Sequence, residues 1–99
     1  MRVVWSKRAT VRVVEIARYI AQDSPQAAER WIEQIFGAVD GLADFPRLGK
    51  PGRGVSSPGI RELEFGDFRI FYEVKATVDI LTVRRARQLI DEDEFTSAD

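Results

Sequence analysis

The 99 residues contain no cysteine and no histidine. Disulfides, thiolate nucleophiles and thiolate–imidazole metal sites are therefore excluded, as are catalytic triads built on His or Cys. Any proton transfer would fall to Asp, Glu, Lys, Arg or Tyr. No apolar run approaches the ~20 residues that a membrane-spanning helix needs. The opening Met1-Arg2-Val3-Val4-Trp5-Ser6-Lys7-Arg8 becomes charged again too soon to house a signal-peptide core. The expectation is a cytoplasmic protein without cofactor or metal.

Apolar residues make up 44% of the chain and charged residues 31%, both signs well mixed, which is globular composition. A chain this short forms one domain, residues 1–99, with one modest core. The net charge of −1 hides an asymmetry. Of 16 acidic residues, five (Asp91, Glu92, Asp93, Glu94 and Asp99) follow Ile90, where no basic residue lies, so residues 1–90 carry 15 basic and 11 acidic groups. The acidic tail from about residue 91 reads either as a solvated segment or as a partial screen for the arginines before it.

Arg2-Val3-Val4-Trp5 is short, β-branched and aromatic, and reads as a strand. Ser6 offers a helix N-cap, and Ala9, Val13, Ile16, Ala17 and Ile20 follow at the spacing of one helix face, widened by Val14 and Ala21. Val11 falls near the back of that helix. Asp23-Ser24-Pro25 stops it and starts the next, with Ser24 as cap and Pro25 in first position. In the second helix Ala28, Trp31, Ile32, Ile35, Phe36, Val39, Leu42 and Ala43 share an arc of about 140°. The proline rule places its end near Phe45-Pro46. The short connection makes the pair an antiparallel hairpin.

Pro46 to Gly59 reads as irregular, with three prolines, four glycines and three cations. Strands follow at Ile60–Phe65, Phe68–Lys75 and Val78–Arg84, joined by turns at Gly66-Asp67 and Ala76-Thr77. They form an antiparallel meander. On the middle strand Phe68, Ile70, Tyr72 and Val74 share the side that should face the helices, with Arg69, Phe71, Glu73 and Lys75 opposite. The fold class is α+β, a small antiparallel sheet packed on a helical hairpin, in the order β-α-α-β-β-β with a short acidic tail.

Glu15-Ile16-Ala17-Arg18-Tyr19-Ile20, Pro46-Arg47-Leu48-Gly49-Lys50-Pro51, Arg61-Glu62-Leu63, Phe68-Arg69-Ile70-Phe71-Tyr72 and Val83-Arg84-Arg85-Ala86-Arg87 occur in one order over nearly the whole chain. Together they resemble the ParE/RelE toxin superfamily. The resemblance implies the same sheet-on-hairpin fold and a cognate antitoxin that wraps the toxin in a hetero-oligomer. It also implies one of two targets. RelE-like members cut messenger RNA in the ribosomal A site, whereas ParE-like members poison DNA gyrase.

By that resemblance Arg69 matches the arginine of the aromatic-Arg-x-x-Tyr strand. Arg61 falls near a position where RelE-like members place lysine, and Arg85 near a late-strand arginine. The family's C-terminal tyrosine is missing, with acidic residues around Asp91 in its place, and a second expected lysine falls near Glu62 or Leu63. Arginine stabilises charge well but is always protonated and serves poorly as a general base. The weak overall charge also argues against docking on RNA. Both departures favour the gyrase branch over a ribosome-dependent endoribonuclease using Arg61, Arg69 and Arg85. A binding module without toxicity is the third alternative.

Each candidate also has a structural role open to it. Arg61 and Arg69 could pair with Glu62, Glu64 or Glu73 on a solvated sheet face. Arg84, Arg85 and Arg87 crowd three cations into four residues, so they need either the acidic tail or a foreign partner, target or antitoxin. Val11 and Trp31 are either core rim or part of an apolar groove for an antitoxin segment. The opening and last strands are the expected free edges. The glycines of the irregular stretch lack the spacing of a phosphate loop.

Overall fold

A computed structural model of the chain describes residues 1–87 and Phe95, so the acidic run from Asp91 lies outside the described residues. The elements are β1 (Val3–Trp5), α1 (Lys7–Ala21), α2 (Pro25–Asp40), a 3-10 turn (Gly41–Ala43), β2 (Lys50–Pro51), β3 (Ile60–Phe65), β4 (Phe68–Val74) and β5 (Val78–Arg85). The helical hairpin covers one face of a five-stranded sheet ordered β1-β5-β4-β3-β2.

The caps act as the sequence suggests. Ser6 Oγ accepts from the Ala9 N–H at 3.0 Å, and Ser24 Oγ from the Ala27 N–H at 3.1 Å. Each satisfies one of the amide groups that a helix leaves unpaired at its start. Ser6 also ties α1 to the sheet, its Oγ donating to the Leu81 carbonyl and its N–H to that of Ile80, both at 3.0 Å. One residue thus fixes where the first helix leaves the sheet and which strand it crosses.

Several expectations are corrected. The sheet is mixed, because β1 runs parallel to β5 with Val3 opposite Val78. Tight turns force the meander to be antiparallel, but β1 is joined to the sheet through two helices and is free of that constraint. β5 is consequently no edge over Val78–Ile80; β1 and β2 are the edges. β2 lies inside the stretch read as irregular, pairing Lys50 with Glu62. Two residues, one a proline, carry no periodicity from which a strand could be read. The second helix ends at Asp40, with the 3-10 turn finishing it, so it stops short of Phe45.

The core joins Ala9, Val13, Ile35, Val39 and Leu42 from the helical layer to Ile70, Tyr72, Val78, Ile80 and Val83 from the sheet. Val14, expected to widen the helix face, is exposed, as is Phe36. Trp31 sets its ring edge-on to Phe65 and Phe68, with centroids 6.2 and 5.4 Å apart, which makes it core rim. The far face of the sheet is not simply solvated. Phe71 is fully buried there with Ile60 and Leu81, with Val55 and Phe95 packed against them.

A bulge sorts β5 between the two faces. Phe71 pairs with Thr82 but Tyr72 with Ile80, so Leu81 is an extra residue. Val78 and Ile80 face the helices before it, Val83 after it, while Leu81 joins the far-face cluster. One inserted residue reverses side-chain alternation downstream. It therefore places Arg85, and not Arg84, on the helix side.

Gly49 is held where no side chain fits. Its N–H donates to Tyr72 Oη at 2.8 Å, and a Cβ there would lie 2.5 Å from the Glu62 carbonyl. Gly37, inside α2, has nothing within 4 Å of such a position. Gly49→Ala should lower stability by about 1–3 kcal/mol through overpacking against backbone. Gly37→Ala should raise it by about 0.8–1 kcal/mol through helix propensity. Urea unfolding midpoints of the two variants check both signs.

Candidate functional site

The arginines singled out from sequence divide into two groups on opposite faces of the sheet. On the far face, away from the helices, everything converges on Glu62, whose side chain is wholly buried. Arg69 Nε donates to Glu62 Oε2 at 2.8 Å, and its Nη2 reaches Oε1 at 3.3 Å. Arg53 donates to Oε1 twice, from Nε at 2.9 Å and from its backbone N–H at 2.8 Å. Arg69 Nη2 donates in turn to the Arg53 carbonyl, and its guanidinium lies 4.6 Å from the centre of the Phe71 ring.

Burial pushes the Glu62 carboxyl up. Hydrogen bonds from Arg69, from the Arg53 side chain and from the Arg53 amide, together with the Arg69 charge, outweigh this and hold it at about 2. Arg69, a candidate for target contact and for catalysis, is thus 5% exposed and serves as an internal counter-ion. Of Glu62 and Glu64 on β3 and Glu73 on β4, Glu62 is the partner used. Arg53, outside the candidate residues, completes the network. A cation in a glycine-rich loop gave no signal that it would fold back on a strand.

Arg61 lies on the helix side, beyond the hairpin. Its Nη2 donates to the carbonyls of Arg47 and Gly49, which pins the loop and not a carboxylate. Arg61 pairs across strands with Tyr72, and Arg85 with Phe68 on the other side of β4. Four residues of strand separate those levels, about 13 Å. Arg61, Arg69 and Arg85 therefore do not converge on one point. Arg84, opposite Arg69, belongs to the far face, although it also borders the groove beside α1.

That groove, about 260 Å³, runs between α1 and the end of β5 and is lined by Arg12, Glu15, Ile16, Tyr19, Val83, Arg84 and Arg85. β1 pairs only as far as Ile80, so it does not flank this part of β5. The Arg85 guanidinium stands 5.5 Å from the Tyr19 ring centre and 5.6 Å from that of Phe68. Two rings thus fix the cation in place by attraction to their faces. The groove continues into two further hollows. One, bounded by Lys7, Arg8 and Val11, shares Arg12 and Glu15; the other, bounded by Asp67 and Arg87, shares Arg85. Among the described residues, six cations and two carboxylates line the connected surface. Val11, proposed as part of an apolar groove, is 48% exposed on this surface, whereas Trp31 takes no part in it.

Comparison with known proteins identifies relatives over nearly the full length. Residues 3–90 match the family described as "ParE toxin of type II toxin-antitoxin system, parDE". The chain is 44% identical over 89 residues to Y4kP, a candidate toxin of Sinorhizobium fredii, covering 88% of this chain and 90% of that protein. It is 32% identical over 90 residues to toxin RelE2 of Caulobacter vibrioides, covering 89% and 98% of the two chains. Among solved structures, a chain of the chromosomal ParDE toxin–antitoxin system of P. aeruginosa superposes with a TM-score of 0.73 at 26% identity, covering 86% of this chain and 95% of that one.

The Glu62 network has a pH signature. A carboxyl held near 2 when folded, against an ordinary 4.5, contributes stability that is fully present above pH 4.5 and is lost as pH falls toward 2. Urea midpoints should drop across that window, and the drop should shrink in Glu62→Gln. At neutral pH the same substitution should cost about 3–5 kcal/mol, because Arg69 is left as a buried charge without its counter-ion.

Proposed function

The chain belongs to the ParE toxin family of type II toxin–antitoxin systems, and we propose that it arrests growth by binding DNA gyrase and is held inactive by a cognate antitoxin. In this reading it performs no RNA-cleaving chemistry of its own, and it works in the cytoplasm, where its target is found.

The observation that carries the reading is the dispersal of the cations that a RelE-type mechanism would need. Such chemistry requires positive groups gathered around one scissile phosphate and a side chain able to move a proton. Arg69 is spent on Glu62, Arg61 holds loop carbonyls, and Arg85 stands on the other side of β4 from Arg61. Arginine itself remains protonated and is a poor base. What the molecule offers outward is a basic, partly apolar surface along α1 and the end of β5. That surface suits recognition of a protein.

The 32% identity to toxin RelE2 keeps the ribosome-dependent endoribonuclease as the second reading. Purified toxin added to DNA gyrase should reduce supercoiling at least tenfold at saturation. Primer extension on translated messages should show no new A-site cuts. Full supercoiling together with A-site cuts would transfer the function to the ribosome. Unimpaired growth on expression without a partner gene would leave a non-toxic binding module.

A further inference from the structure

The turn that leads into β2 holds apolar side chains out of the fold. Pro46 and Arg47 form its corner, and the Leu48 N–H donates to the Phe45 carbonyl at 3.0 Å. The Phe45 N–H is tied back to the Gly41 carbonyl, also at 3.0 Å. At the other end Arg61 Nη2 donates to the carbonyls of Arg47 and Gly49, and the Gly49 N–H to Tyr72 Oη. Arg61 Nε is buried with no hydrogen-bond partner among the described residues. A buried donor left unpaired is a cost. What it secures is a turn fixed at both ends.

Phe45 and Leu48 are 66% and 61% exposed, more than any other large apolar side chain among the described residues. Asp44 and Arg47 are exposed as well, and among the described residues neither side chain has an ion-pair or hydrogen-bond partner. Five consecutive residues thus carry one anion, one cation and two apolar groups, with charges that sum to zero. A foreign partner would have to supply the opposite of each, whereas a second copy of the same turn supplies all of them. We propose that this turn is a self-association surface, joining two copies of the chain about a two-fold axis at Pro46. Asp44 of one copy meets Arg47 of the other, and each Phe45 ring packs on the other copy's Leu48. A hollow of about 320 Å³ beside the turn, lined by Leu48, Gly49, Lys50, Glu62, Leu63 and Glu64, receives the ring. The contact is made by side chains, because β2 has only two residues, one of them a proline, and offers little edge for another strand. β3 and β4 separate β2 from β5, so the dimer leaves the α1–β5 groove open.

Sedimentation velocity of the purified full chain, from roughly 5 to 500 µM at low salt, tests the proposal by mass action. Monomer should pass to dimer with a dissociation constant on the order of 10–100 µM, the contact being smaller than a standard interface. Phe45→Ser combined with Leu48→Ser should abolish the dimer. Asp44→Arg and Arg47→Asp should each weaken it at least about tenfold by setting like charges across the axis. The two combined should restore it to within about threefold of wild type. Unchanged thermal unfolding midpoints would verify that the variants are folded. A wild type that stays monomeric over the whole range would overturn the proposal. So would a dimer that every variant retains, or one that the charge exchange fails to restore. Gyrase supercoiling and antitoxin binding, measured with the same variants, separate the other occupants. A monomeric wild type that loses either activity on Phe45→Ser with Leu48→Ser would assign the turn to that partner and overturn self-association, leaving the toxin reading intact.

Discussion

A single buried carboxylate organises the far face of the sheet. Glu62 alone would be costly to bury, and it is tolerated because Arg69 from the neighbouring strand and Arg53 from the loop surround it with donors. The same contacts fasten the loop after β2 across β3 and β4. A stretch rich in glycine and proline, with little apolar content, is thereby given a fixed path. Lys50 and Arg53 extend the network to Glu64, at 2.8 and 3.6 Å, but on an exposed surface where each pair contributes little. The stabilising contribution is concentrated at Glu62.

The network decides which arginines remain for recognition. Arg69 matches a family motif and would be the first choice for a working cation, yet its geometry is that of a structural ion pair. The β5 bulge completes the division by turning Arg85 toward α1, where two aromatic rings and Arg12 define the groove. Two small constraints, one electrostatic and one a matter of strand register, separate internal cations from presented ones. Net charge gives no hint of this, because a chain of formal charge −1 carries a surface lined, among the described residues, by six cations and two carboxylates.

Much of the frame was legible in advance. Ser6 and Ser24 announced both helix starts, Pro25 the second helix, and the apolar spacing of Ala9, Val13, Ile35 and Val39 the buried seam. The alternation of Phe68, Ile70, Tyr72 and Val74 identified the core side of β4. What local pattern could not carry was long-range pairing. The parallel partnership of β1 with β5 joins residues more than seventy positions apart. β2 owes its strand geometry to β3 and to the space that Gly49 leaves for Tyr72. The bulge at Leu81 is likewise silent, since isoleucine, leucine, threonine and valine in succession fit either face. For the site, residue type was informative and accessibility was not. Arg61, Arg69 and Arg85 look equivalent along the chain, and only their partners distinguish loop clamp, buried counter-ion and groove wall.

The division between the two faces requires Arg69 to be internal and Arg85 to stand at the surface. Hydrogen exchange at the arginine Nε–H groups, followed by ¹⁵N-resolved NMR near neutral pH, compares them within one sample. Arg69 Nε–H, donating to a buried carboxylate, should exchange at least a hundredfold more slowly than that of Arg85. Equal, rapid exchange at both would contradict the account, because it would mean that the Glu62 clamp opens freely and that the two faces are not divided as described.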